Sequence, residues 1–170
     1  KFLLSRRDKE GGFHIQDKGY DQFASVPNRI AHLYIVYALT QAGIGKEIEP
    51  EYRSAVKKAL ESKDAYQLAL MALAASNMKD QATYLALMQA LDQLPEKLQA
   101  ETSVVNSRGA SLRVEAWSLQ VLALLRSPNP DLAKAAGILS NLLAEKSYYG
   151  YGSTQSTVLA LKALTEYARV

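Results

Sequence analysis

The 170-residue sequence contains no cysteine, which removes disulfides, thiolate nucleophiles and cysteine-built metal sites at once. That absence does not fix the compartment. No apolar run approaches the roughly 18 to 20 residues of a membrane span, and the opening KFLLSRR is too short in its apolar part to act as a signal peptide. The chain begins at Lys1 and not at Met, so we expect a segment of a larger protein with any export signal outside it. There is also no uninterrupted cationic block. The net charge is +3 and the pI about 9.0, but the 20 basic residues are interleaved with 17 acidic ones, so nucleic acid is not the default partner. Finally, no stretch alternates polar and apolar residues between turn signals, as a half-buried strand would.

What is present is one kind of element. With 48% hydrophobic and 22% charged residues, the chain can bury a sizeable core as one domain over 1–170. Apolar residues recur at three-to-four spacing in PNRIAHLYIVYALTQAG (27–43), PEYRSAVKKALES (50–62), DAYQLALMALAASN (64–77) and KDQATYLALMQALDQLP (79–95). The same spacing recurs in SLRVEAWSLQVLALLRS (111–127), NPDLAKAAGILSNLLAEK (129–146) and a last segment from about Ser153 to Ala168. Each reads as a helix, and the class is all-α. Pro27 and Asp64 stand where a first turn and an N-cap belong.

The helices starting near 27, 64, 111 and 153 are apolar on most faces, whereas those near 50, 79 and 129 are one-sided. Inner and outer helices therefore alternate. The inner ones recur every 37 to 47 residues or so, the range in which helical hairpins stack because no single hairpin can bury its own apolar face. YQLALMAL at 66, SLQVLALL at 118 and TVLALKAL at 157 share one apolar grammar, and glycine-aromatic loops, EGGF at 10 and YYGYG at 148, precede two inner helices. An open solenoid and a ring of inner helices enclosed by outer ones both satisfy this pattern.

The stretch YYGYGSTQSTVLALKALTEYA (148–168) resembles the end of the thioester domain of the α2-macroglobulin and complement superfamily. There a glycine-aromatic turn leads into Gly-x-Gly-Ser-Thr-Gln-x-Thr and an apolar helix. KEGGFHIQD with the Tyr-rich helix after it, DAYQLALMALAASNMKDQA and RVEAWSLQVLALL are similar to further family segments in the same order. The resemblance spans nearly the whole chain and implies an α/α toroid, of which this chain supplies the later part. Its motif residues here are Tyr149, Gly150, Tyr151, Gly152, Ser153, Thr154, Gln155 and Thr157, and we expect them to be structural. The family's reactive Gly-Cys-Gly-Glu-Gln thioester motif is absent, since it needs a cysteine. The resemblance further implies part of a broad-spectrum protease inhibitor that is cleaved in a bait segment and then traps the protease. Target proteases and neighbouring β-sandwich domains would be its partners. The parent would be a periplasmic protein, membrane-anchored if it is a lipoprotein, or a secreted one, of bacterial type. No catalysis and no cofactor are expected of this chain, and its first helices, excised from a ring, should expose apolar surface and promote self-association.

Some complement relatives use a histidine after the GGF-like segment for acyl transfer; His14 is the candidate here, though it follows Phe13 more closely than in that pattern. His14, Asp17 and Asp21 lack the spacing that would converge three metal ligands, and a solvated loop is the simpler reading. Gly150, Gly152, Ser153 and Thr154 at a helix start could hold an anion, but the P-loop Lys and preceding strand are missing, and a hydroxyl cap suffices. Gln155 stands where a nucleophile elbow needs Gly. His32 reads as a hydrogen-bonded core or interface residue, Trp117, Met71, Met78 and Met88 as packing residues, and SRRDKE (5–10) as a solvated helix end. Tyr148, Tyr149 and Tyr151 are expected to offer packing area. A toroid enzyme of the terpene-cyclase or prenyltransferase type lacks its zinc or acid motifs here, and an α-solenoid interaction module remains an alternative.

Overall fold

A computed structural model describes residues 2–15, 26–95, 100–148 and 150–170. Among these residues there are seven α-helices: α1 (Asn28–Gln41), α2 (Glu49–Ser62), α3 (Ala65–Asn77), α4 (Gln81–Asp92), α5 (Gly109–Leu124), α6 (Leu132–Ala144) and α7 (Thr154–Tyr167). No strand is found among them; the only extended pairings are isolated bridges, Arg7 with Phe13 and Ser147 with Gly150.

Burial follows the apolar pattern. Every residue of α3 from Ala65 to Ala75 is buried, because α3 packs on α1, α2, α4 and α5. Small Ala side chains on α3 let these neighbours approach, and Leu68, Leu70, Met71 and Leu73 fill the spaces between them. α5 is nearly as enclosed, lying against α3, α6 and α7. The successive contacts α1 to α3, α3 to α5 and α5 to α7 make a row of inner helices, with α2, α4 and α6 outside it. This is the alternation of an α/α toroid, seen here as an arc with α1 and α7 at its ends. The outer helices bury one stripe only. On α4 that stripe is Tyr84 and Leu87, and cutting the fully buried Leu87 back to Ala would cost about 2–5 kcal/mol through lost transfer energy and the cavity left behind.

Helix starts are fixed by side-chain caps. Asp64, Asp80, Asp131 and Ser153 accept the backbone N–H of Gln67, Thr83, Lys134 and Ser156 respectively. The Asp64 and Ser153 caps match expectation. The other two lie one or two residues beyond the starts read from apolar spacing; at Asp80 the preceding Lys79 takes a left-handed φ of 57°, so the chain is still turning there.

The N-terminal segment differs from the solvated helix end that SRRDKE suggests. Only a single 3-10 turn forms at Leu4–Arg6, and Arg7 then reaches across to α2. Its Nε donates to Glu51 Oε1 at 2.6 Å and its Nη2 to Oε2 at 3.0 Å. The Glu51 side chain is only 2% exposed, so this bidentate pair supplies the partner that a buried carboxylate requires.

Candidate functional site

The turn before α7 is built from its glycines outward. Ser147 and Gly150 exchange backbone hydrogen bonds, N–H of Ser147 to the Gly150 carbonyl at 2.8 Å and the reverse at 3.1 Å. Gly150 and Gly152 have φ of +97° and +95°, a region that side-chain-bearing residues rarely adopt. Gly152 also lies hard against α5: a Cβ there would sit 2.2 Å from Ser111 Oγ. This close approach lets the Ser153 N–H donate to Ser111 Oγ at 3.2 Å. Tyr151 turns inward and is 6% exposed, its N–H donating to Thr157 Oγ1 at 3.4 Å. Ser156 Oγ donates to the Tyr151 carbonyl at 2.7 Å, and Ser156 N–H donates to Ser153 Oγ at 3.1 Å.

Beneath this turn is a buried acid. Glu115 of α5 is fully buried, and its Oε1 accepts from Ser107 Oγ at 2.5 Å and from Ser153 Oγ at 3.3 Å. Its Oε2 is buried with no hydrogen-bond partner. Burial pushes the Glu115 carboxyl pKa up, and the hydroxyls of Ser107, Ser103 and Ser153 only partly offset it. The loop that presents Ser107 is itself tied inward. Ser107 N–H donates to Ser103 Oγ at 3.2 Å, and Val104 N–H donates to the Tyr66 hydroxyl at 3.3 Å. Asp64 completes the rim: besides capping α3 through Oδ1, it accepts the Glu101 N–H on Oδ2 at 2.7 Å. The starts of α3, α5 and α7 thus meet at one edge of the arc, joined through the loop at 101–107.

A second cluster surrounds the glycine-aromatic loop at the N-terminal end. Gly11 has φ +74°, and Asp8 Oδ1 accepts the N–H groups of Glu10 and Gly12 at 2.8 and 2.7 Å. Burial raises the Asp8 pKa, but these two hydrogen bonds, together with the nearby His14 and His32, lower it, and the net shift is downward. Phe13 is buried against His32, with ring centroids 5.7 Å apart. Desolvation, helped by nearby Lys58, lowers the His32 pKa; the residue is buried as expected, but its Nε2 has no hydrogen-bond partner, contrary to the expectation of a hydrogen-bonded histidine, because the imidazole packs against the Phe13 ring. Asp8, Phe13, Arg29, His32 and Lys58 border a cavity of about 450 Å³.

The structure places the sequence-derived candidates as follows. Gly150, Tyr151, Gly152, Ser153, Thr154, Gln155 and Thr157 form one turn and helix start; Tyr149 lies outside the described residues. Tyr148 is 95% exposed, so the expectation of packing area holds for Tyr151 but fails for Tyr148, which lies beyond the inward bend at Gly150. His14 is exposed and is held by its backbone, its N–H donating to the Arg6 carbonyl at 2.7 Å. Asp17 and Asp21 lie outside the described residues. Among the described residues no three His, Cys, Asp or Glu side chains gather as a metal set. Met71 is fully buried, and Met78, Met88 and Trp117 pack against the core. Glu115 escaped the sequence reading. The available signal was a lone acid within the otherwise apolar run that starts at Val114.

No match was found among curated proteins or among solved structures. A family model, the A-macroglobulin TED domain, matches residues 31–167, from within α1 to the end of α7. With an all-helical arc of alternating inner and outer helices and a Gly-x-Gly-Ser-Thr-Gln turn pinned at its rim, the chain belongs to the A-macroglobulin TED domain family.

Proposed function

We propose that this domain is part of an α2-macroglobulin-like protein that inhibits endopeptidases broadly, by being cleaved in a bait segment and then enclosing the attacking protease. Family membership over residues 31–167 carries the reading. The chain would contribute the later hairpins of the helical domain and no catalytic turnover, and its surface would pack on neighbouring β-sandwich domains of the parent. With no cysteine in the sequence, it cannot itself form a Cys–Gln thioester; in a parent that has one, docking of this domain would help to keep it from water. A periplasmic or secreted parent, lipid-anchored in the first case, is the setting in which foreign proteases are met.

The test uses the parent protein. Incubated with an excess over a broad-specificity protease, it should be cut at one exposed segment and change its hydrodynamic size. The protease should then retain activity on a small peptide and lose it on a large protein substrate. Undiminished cleavage of the large substrate after bait cleavage would overturn the reading.

In isolation the chain should self-associate. α7 exposes Val158 and Leu161 on one face, each more than half exposed, whereas its other side packs on α5. The site is therefore the last inner helix, in addition to the first helices expected from sequence. Leu161→Lys should shift the sedimentation profile toward monomer, and an unchanged profile would place the contact elsewhere.

A further inference from the structure

We propose that Glu115 is a proton-operated latch on the motif turn: with its carboxyl neutral the junction of α5, α7 and the 101–107 loop is closed, and with its carboxylate ionised the turn loosens toward water. The geometry carries this. Ser107 Oγ and Ser153 Oγ both donate to Oε1 and the Ser103 hydroxyl lies close to the carboxylate, while Oε2 is buried with no hydrogen-bond partner. An ionised carboxylate in that setting leaves half its charge without a hydrogen bond, a far costlier state than a neutral acid.

The neighbours supply no compensating charge. From α3 the titratable groups are the Tyr66 hydroxyl, whose own pKa burial drives upward, and the cap Asp64 beyond it. From the loop come Ser103 and Ser107, and from α7 Ser153, all uncharged. Along α5 itself, Arg108 is exposed and Arg113 is committed to Glu145 at 2.6 Å. No cation figures among the influences on Glu115, which are burial and serine hydroxyls.

The sign follows. The folded carboxyl has its pKa above that of an unfolded glutamate, so the closed junction is fully favoured below about pH 4.3 and weakens as pH rises through the folded value. The elements able to yield are those whose hydrogen bonds end on Glu115, namely the turn through Ser153 and the loop through Ser107. Ser153 is also the N-cap of α7, so loosening the latch frays the first turn of that helix.

Hydrogen exchange on the full chain between pH 4 and 8 tests this, with rates corrected for intrinsic exchange. The segments read are 102–108 and 150–157, with 65–75 in α3 as internal control. Protection of the first two should fall with rising pH, by about tenfold for each pH unit by which the folded pKa exceeds about 4.3, while 65–75 holds. Glu115→Gln, which keeps shape and removes the charge, should show flat, acid-like protection. Ser107→Ala removes the strongest donor to the carboxylate and so raises its folded pKa further, so its loss of protection should run on to higher pH and be larger in total than in the wild type. A Glu115→Gln chain with the wild-type pH profile, or a wild-type profile flat to within about twofold, overturns the latch. Should Glu115→Gln fail to fold, the Ser107→Ala profile decides, and a fall that ends at the same or a lower pH than the wild type's counts against it.

Discussion

Replacing Gly152 with Ala probes the motif turn through two separable effects. The first is backbone strain: at φ +95° an alanine is forced into a region that costs about 1–2 kcal/mol. The second is steric. The new methyl would lie 2.2 Å from Ser111 Oγ and 3.3 Å from its Cβ, so the hydroxyl must rotate away and forfeit the hydrogen bond it accepts from Ser153 N–H, worth about 1 kcal/mol. Together these give about 2–3 kcal/mol, or a fall in Tm of about 4–12 °C for a chain of this size. Urea unfolding followed by far-ultraviolet circular dichroism measures it. Gly150→Ala is the comparison, since its φ is +97° but the nearest atom to its Cβ is Thr157 Oγ1 at 3.5 Å; only the strain should show. In a Ser111→Ala background the steric part of Gly152→Ala should largely vanish, leaving the double mutant about 1 kcal/mol less destabilised than the sum of the singles. A Gly152→Ala chain within about 0.5 kcal/mol of wild type, or equal to Gly150→Ala in both backgrounds, would refute the close-approach argument.

Three further outcomes are expected. Gly137 lies within α6 with open space around it and an ordinary helical backbone, so Gly137→Ala should raise stability by about 0.5–1 kcal/mol in the same urea assay. Arg7→Ala strips the partner from the nearly buried Glu51 and should cost about 1–3 kcal/mol, of which Glu51→Gln in the same background restores part by removing the orphaned charge. His32 is held neutral by burial, so its folded pKa lies below 6.5. Protonation then favours the unfolded chain, and stability should fall as pH drops through about 6.5. Thermal melts across that range should show the fall, with a shallower slope for His32→Gln.

The helices were legible in the sequence because burial is one-dimensional information: a residue's face is set by its position modulo the helical repeat. All seven appear within a few residues of where the apolar spacing puts them. Asp64 was readable as a cap because it directly precedes its apolar run, and Ser153 because it is a hydroxyl residue at the helix start just after the glycine turn. Asp131 and Asp80 were obscured by polar residues that extend the apparent helix backward. Side-chain partnerships across the fold were not legible. Arg7 and Glu51 are 44 positions apart, and Glu115 draws Ser107 and Ser153 from segments 8 and 38 residues away. Such pairings depend on how hairpins stack, which no local pattern encodes. The motif turn was legible as a glycine turn leading into a capped helix start, but its dependence on Ser111 and Glu115 emerges only when α7 is laid beside α5.

The double use of Asp64 restricts what position 64 can accept. At an ordinary helix start Ser, Thr, Asn and Asp are near-equivalents, since one oxygen suffices. Here Oδ1 is occupied by the start of α3 and Oδ2 by the Glu101 N–H. Ser and Thr offer one oxygen too few, and Asn would turn an amide donor toward another donor. The usual four-letter alphabet of a helix cap shrinks at this point to a single letter, because the cap is also the clasp that holds the loop leading into α5.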